Sequence, residues 1–195
     1  LKRYGRPYIL DALDRVLDWS HALEMQCVAY LIVAGPGQDP THSVDDLLYL
    51  AARRVLAGVS VFYPAPGSAD YRWCQKENRL PEAYGLMRAT ALPLVHHTNR
   101  DQTITLLRLG RILNFMKHLI DTGQSLPPAA KVPTRIAAGM DRIAVGKQLI
   151  GALRHDGRVY GVDDDGRLYD HCIDQTLVKQ FMKGLERMTI RGTVR

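Results

Sequence analysis

The stretch QCVAYLIVA at residues 26–34 restricts the fold more than any other part of the chain. It is a continuous apolar run rich in β-branched residues, and it stops at Gly35-Pro36-Gly37. That is the pattern of a strand covered on both faces, and such strands belong to parallel sheets. Ahead of it, Ile9, Leu10, Leu13, Val16, Leu17 and Leu23 recur at three- and four-residue steps, which predicts an amphipathic helix over about residues 8–23. Behind it, Thr41 or Ser43 can cap a helix whose apolar positions Val44, Leu47, Leu48, Leu50, Ala51 and Val55 lead to a stop at Gly58. VSVFY at residues 59–63 then predicts a second strand. Strand, helix and strand in this order describe a right-handed crossover whose strands end at one common edge, where ligands of open α/β sheets bind.

Two parallel strands do not stand alone in water, because such sheets are stable only when several strands pair and helices cover both faces. The strand at 26–34 therefore needs a further neighbour, and no later segment reads as one. A helix is expected over 82–95, and a long one over 101–121, where Leu106, Leu109, Leu113, Met116 and Ile120 form an apolar stripe. After the break LPPAAKVP comes a helix near 140–154, then two short strands around Asp163-Asp164-Asp165-Gly166 that make a hairpin near 158–172. Asp174 caps a last helix reaching about Met188. The expected class is thus α/β: about two strands of an incomplete parallel (βα) assembly, followed by a mainly helical extension with one β-hairpin. The chain begins with Leu1 rather than methionine, which fits a truncated sequence.

The formal net charge is +6, but lysine and arginine are scattered, with no basic run interleaved with aromatics. Charge therefore argues for solubility, and nucleic acid is not an expected partner. No apolar run of membrane-spanning length occurs, and the N-terminal residues lack the apolar stretch of a secretion signal. Cys27, Cys74 and Cys172 are an odd set with no CxxC spacing, which suits a reducing, cytoplasmic compartment. Asp163, Asp165 and Gly166 resemble part of a calcium loop, yet Gly161 and Cys172 occupy its first and last ligand positions, so a hairpin turn is the better reading. His96-His97 and His155-Asp156 have no third ligand at suitable spacing. Arg108 and Arg111 lie one turn apart and could pair with a phosphate or carboxylate, although a solvated face is the commoner meaning of such a pair.

The order and spacing of two turns carry a resemblance. An apolar strand ending in Gly35-Pro36-Gly37-Gln38, a capped helix, and a strand ending in Tyr63-Pro64-Ala65-Pro66-Gly67-Ser68 resemble the fifth and sixth strand segments of the radical S-adenosylmethionine barrel. The preceding KRYGRPYILDALDRVLDWSHALEMQ is similar to the family's fourth helix. The resemblance covers about residues 1–75, with residues 76–195 as an extension that closes the barrel mouth, and implies substrate contacts from residues 64–121. It implies a 4Fe-4S cluster with one open iron site, reductive cleavage of S-adenosylmethionine to a 5′-deoxyadenosyl radical, and an adenosine pocket touched by Gly35, Gly37 and Tyr63. Two departures stand out. The family's turn commonly reads Gly-Leu-Pro-Gly-Glu, where this chain has Ala34-Gly35-Pro36-Gly37-Gln38, and the three-cysteine loop that follows the family's first strand has no counterpart here. The resemblance therefore implies a missing N-terminal barrel half, in the same parent chain or a second subunit, and a chain inactive alone. A rival expectation is a non-catalytic, mildly basic helical binding module with a self-sufficient fold.

Overall fold

A computed structural model describes residues 9–83, 85–86, 94 and 97–194. The fold is α/β, with a two-stranded parallel sheet and a separate antiparallel hairpin among helices. Helix α1 (Leu10–Ala22) leads into strand β1 (Val28–Val33), helix α2 (Pro40–Ala51) and strand β2 (Leu56–Val61). The two strands pair in parallel from Val28 opposite Leu56 to Val33 opposite Val61.

The crossover helix starts and stops earlier than its sequence pattern predicts. Its cap is Asp39, whose carboxylate accepts the Thr41 N–H at 2.8 Å, with Pro40 in the first turn where a missing N–H does no harm. It ends at Ala51 rather than running toward Gly58, so β2 begins three residues ahead of the expected VSVFY. The reason is not local. The Lys117 ammonium, 0 % exposed, donates to Ala51 O at 3.4 Å, Arg53 O at 2.6 Å and Arg191 O at 2.8 Å, so the helix-end carbonyls are held by a cation from 64 and 66 residues downstream.

One face of the sheet carries Ala29, Leu31 and Val33 beside Ala57, Val59 and Val61, and packs against α2 and α4 (Arg100–Asp121). Gly110 permits the close crossing of α4 over β2, because a Cβ at that position would lie inside the Val59 side chain. A four-residue step along the helix, Asn114 reaches the outer edge of β2. Its Oδ1 accepts the Ala57 N–H at 2.9 Å and its Nδ2 donates to Ala57 O at 2.8 Å, so one side chain does what a third strand would do there. That closes the edge at Ala57.

The opposite edge takes a side-chain bond at Ile32 O, from Gln38 Nε2, and the second face is uncovered among the described residues. Among the described residues no strand pairs with the far edge of β1. Leu56 N–H donates to Cys27 O and Phe62 N–H to Val33 O, so by the alternation of a parallel ladder Val28, Tyr30 and Ile32 turn their backbone groups away from β2. Their side chains, with Leu56, are exposed on the second face, Tyr30 at 81 %. A strand read as covered on both faces is covered here on one, because the described residues bring no second layer. Helix α1 repeats the pattern: Leu17 is buried, whereas Val16, Trp19 and Leu23 form an exposed stripe at three- and four-residue steps.

Helix α3 (Ala69–Lys76), capped by the Ser68 hydroxyl, was not foreseen from the pattern. The helix expected over 82–95 lies largely outside the described residues. Long helix α4 is close to its expected bounds and opens on a capping box in which Asn99 and Gln102 each bond the other's backbone N–H. Helix α5 (Arg142–Asp156) starts at Asp141 and stops at left-handed Gly157, strands β3 (Tyr160–Val162) and β4 (Leu168–Asp170) form the hairpin, and Asp174 caps α6 (Gln175–Leu185). The hydrophobic core is continuous across residue 75, since Leu47 and Val55 share it with Leu106, Leu113, Leu177 and Phe181. Beyond α6 the chain returns to α4, where the Asp121 carboxylate accepts the Thr193 N–H at 2.8 Å and the Val194 N–H at 3.0 Å. Among the described residues no helix is long and apolar enough to cross a membrane.

Candidate functional site

The C-terminal ends of β1 and β2 carry the two turns singled out by sequence. In the first, Ala34 is buried and adopts a φ of 62°, a left-handed conformation that disfavours any side chain with a Cβ. Gln38 braces the turn: its Oε1 accepts the Gly35 N–H at 3.0 Å, and its Nε2 donates to Ile32 O at 3.1 Å and Ser43 Oγ at 3.0 Å. Its backbone N–H donates to Gly35 O at 3.0 Å, and its carbonyl accepts the Thr98 hydroxyl. A strained residue held by a dense hydrogen-bond set at a sheet's C-terminal edge is a common mark of a ligand site.

The three residues expected to touch adenosine are placed differently from one another. Gly35 is buried, its N–H donating to Gln38 Oε1 and its carbonyl accepting the Gln38 N–H. Gly37 is exposed at a φ of 74°, with open space where a Cβ would stand; conformation, not crowding, requires glycine there. Tyr63 is half-buried, packs on the core, and has its hydroxyl pushed up by burial. For a nucleoside the fit is therefore partial, resting on Gly37 and Tyr63. For a cluster the residues do not fit: among those described no three His, Cys, Asp or Glu side chains converge, and Cys27, Cys74 and Cys172 are half-buried, buried and exposed in separate elements.

The strain at Ala34 gives a test by substitution. Ala34→Gly removes a left-handed penalty of about 1 kcal/mol but also a buried methyl of similar worth, so stability should stay within about 1 kcal/mol. Ala34→Val places a branched side chain in the same conformation in a filled space, with an expected loss of about 3 kcal/mol in urea denaturation.

The acidic hairpin holds a turn, as its spacing suggests. Asp163 Oδ1 accepts the Asp165 and Arg167 N–H groups, and Gly166 is left-handed. Asp156 likewise accepts the Arg158 N–H and the Tyr160 hydroxyl. His96 lies outside the described residues.

A second site was only half legible. Between α4, α5 and the hairpin lies a cavity of about 200 Å³. Ile112, Phe115, Leu149, Ile150 and Leu153 supply its apolar wall, and Arg108, Arg111 and His171 its lip. Phe115 reaches in only because residue 146 is glycine, where a Cβ would overlap the ring. Arg108 is half-buried and its Nε is fully shielded from solvent with no hydrogen-bond partner. Neither Arg108 nor Arg111 has a hydrogen bond or ion pair among the described residues. Burial makes the Arg108 guanidinium easier to deprotonate than usual, Tyr169 opposing the shift and the like charge of Arg111 adding to it. The His171 imidazole is held below its ordinary value by burial and by Arg108. The arginine pair was visible in the sequence; what turned it from a solvated face into a pocket lip was the hairpin folding back over α4.

No protein-family model, curated protein or solved structure matches this chain.

Proposed function

We propose that this chain is the closing part of a radical S-adenosylmethionine-type barrel, with β1 and β2 as its fifth and sixth strands and residues 76–195 as the extension over the barrel mouth. In this reading the complete protein reductively cleaves S-adenosylmethionine at a 4Fe-4S cluster whose ligands lie outside this chain, and the chain alone is inactive. A cytoplasmic location suits both the cluster and three cysteines that form no disulfide among the described residues.

One observation carries the reading: among the described residues the sheet is covered on one face only, and neither edge carries a third strand. Asn114 closes β2 at Ala57, and Gln38 bonds Ile32 O on β1. Helices α2 and α4 cover the outward side, as helices do around a parallel barrel, and Val28, Tyr30, Ile32 and Leu56 are left for the lumen side. The exposed Val16–Trp19–Leu23 stripe of α1 is a second apolar surface that a neighbour would cover. The binding-module alternative requires a self-sufficient fold, in which the apolar face left open among the described residues would be the docking surface.

Two measurements test the proposal. Reading the coding sequence upstream of Leu1, or a co-transcribed subunit, is expected to reveal a CxxxCxxC loop. In protein carrying that segment, the Tyr30 and Ile32 amides should exchange at least about a hundredfold more slowly than in this chain alone, as new sheet bonds form. Equal exchange in both, or a cluster assembled on the isolated chain by anaerobic iron and sulfide reconstitution, overturns the assignment.

A further inference from the structure

We propose that the cavity between α4, α5 and the hairpin binds a small apolar carboxylate: one ring or a branched hydrocarbon body bearing a single anionic head. The site draws on Arg108, Arg111 and His171 and stands independently of the barrel reading.

Size selects the body. A cavity of about 150 Å³ lined by aliphatic and aromatic side chains is enough for benzene, so the 200 Å³ here leaves room for one ring and a short acid group. Phe115 gives such a ring an aromatic surface, and Ile112, Leu149, Ile150 and Leu153 enclose it in hydrocarbon. Extended or polyanionic ligands are too large or too polar for walls of this kind.

Charge selects the head. Two guanidinium groups stand at the lip beside the His171 imidazole, which burial and Arg108 hold toward its neutral form, and among the described residues no carboxylate pairs with either arginine. A cationic ligand would be repelled, and a neutral apolar one would leave both guanidinium groups without an acceptor. Since Nε itself is shielded, a carboxylate would pair with the two terminal nitrogens of Arg108, end-on and two-pronged. His171, set edge-on to Tyr169 with ring centroids 4.9 Å apart, has its ring direction fixed beside that position. Arg111 is exposed one turn along α4 and adds field rather than a buried contact.

The test is calorimetric titration of the full chain with phenylacetate, isovalerate, phenylacetamide, phenethylamine and inorganic phosphate. At least one of the two acids is expected to bind, at least about tenfold tighter than the neutral amide, with the amine and phosphate weaker still. Arg108→Gln, which keeps the side chain polar and spares the core, should weaken acid binding about tenfold or more; Arg111→Gln should weaken it about two- to threefold. Leu149→Trp, which fills the cavity, should remove acid and amide binding alike. Circular dichroism checks that each variant is folded. Absence of binding by both acids, amide binding as tight as acid binding, phosphate preferred over both acids, or unchanged acid binding in folded Arg108→Gln each overturns the proposal.

Discussion

Gly110→Val is expected to lower the stability of the chain by about 4 kcal/mol or more, enough to leave many small domains largely unfolded. Alanine normally improves a helix interior by about 1 kcal/mol over glycine, so propensity alone makes Gly110→Ala stabilising. Packing says the opposite, because the added Cβ falls within the Val59 side chain on β2. Overpacking of this kind costs about 1–3 kcal/mol, so Gly110→Ala should come out destabilising by about 1–2 kcal/mol. The pairing is specific. Val59→Ala opens the space, and the double variant should recover at least about 1 kcal/mol relative to the sum of the single changes. Urea denaturation of the four proteins decides it, and a stabilised Gly110→Ala would mean that α4 does not cross the sheet so closely.

Lys117→Ala should be comparably damaging, at about 4 kcal/mol, with a midpoint drop of roughly 8–16 °C for a chain of this size. Two of the three carbonyls that Lys117 serves have another donor: Ala51 O accepts the Arg191 N–H and Arg53 O the Val55 N–H. Arg191 O is the one most exposed to loss. Lys117→Met, which keeps the volume, should therefore cost less, about 2 kcal/mol. The proton adds a signature that packing would not give. Burial pushes the ammonium down to about 8 from the usual 10.5. Between those values the unfolded chain still holds a proton that the folded chain has released, so this group's contribution to stability rises with pH across the window. The stability gap between the native chain and Lys117→Met should widen over the same range. A Met variant as stable as the native chain would show that the ammonium does not hold the helix end.

Elements governed by their own residues were readable from sequence, and those governed by distant ones were not. The apolar stripe of α4, the Asp174 cap and the acidic hairpin turn depend on near neighbours, and each is seen close to its expected place. The end of α2 depends on Lys117, and β2 is displaced by three residues for that reason. Asn114 reads as an ordinary helix residue; only the crossing of α4 turns its amide into a substitute strand. At the sheet's edge, sequence located the two turns but not their internal wiring, so Gly35, expected to face a ligand, is instead bonded to Gln38. The cavity lay furthest from view, because its wall and lip are joined from α4, α5 and the hairpin by tertiary packing alone.

The carbonyl of Arg191 that Lys117 needs is 74 residues further along the chain. At translation rates of about 5–20 residues per second, the α2–α4 pair spends roughly 4–15 seconds on the ribosome before its bolt is synthesised. Until Arg191 is made, Lys117 lacks one of its three acceptors, so the α2–α4 contact cannot take its final form before then. Residues 191–194 convert it into a locked one as they emerge, which makes the order of synthesis itself a determinant of when this core becomes final.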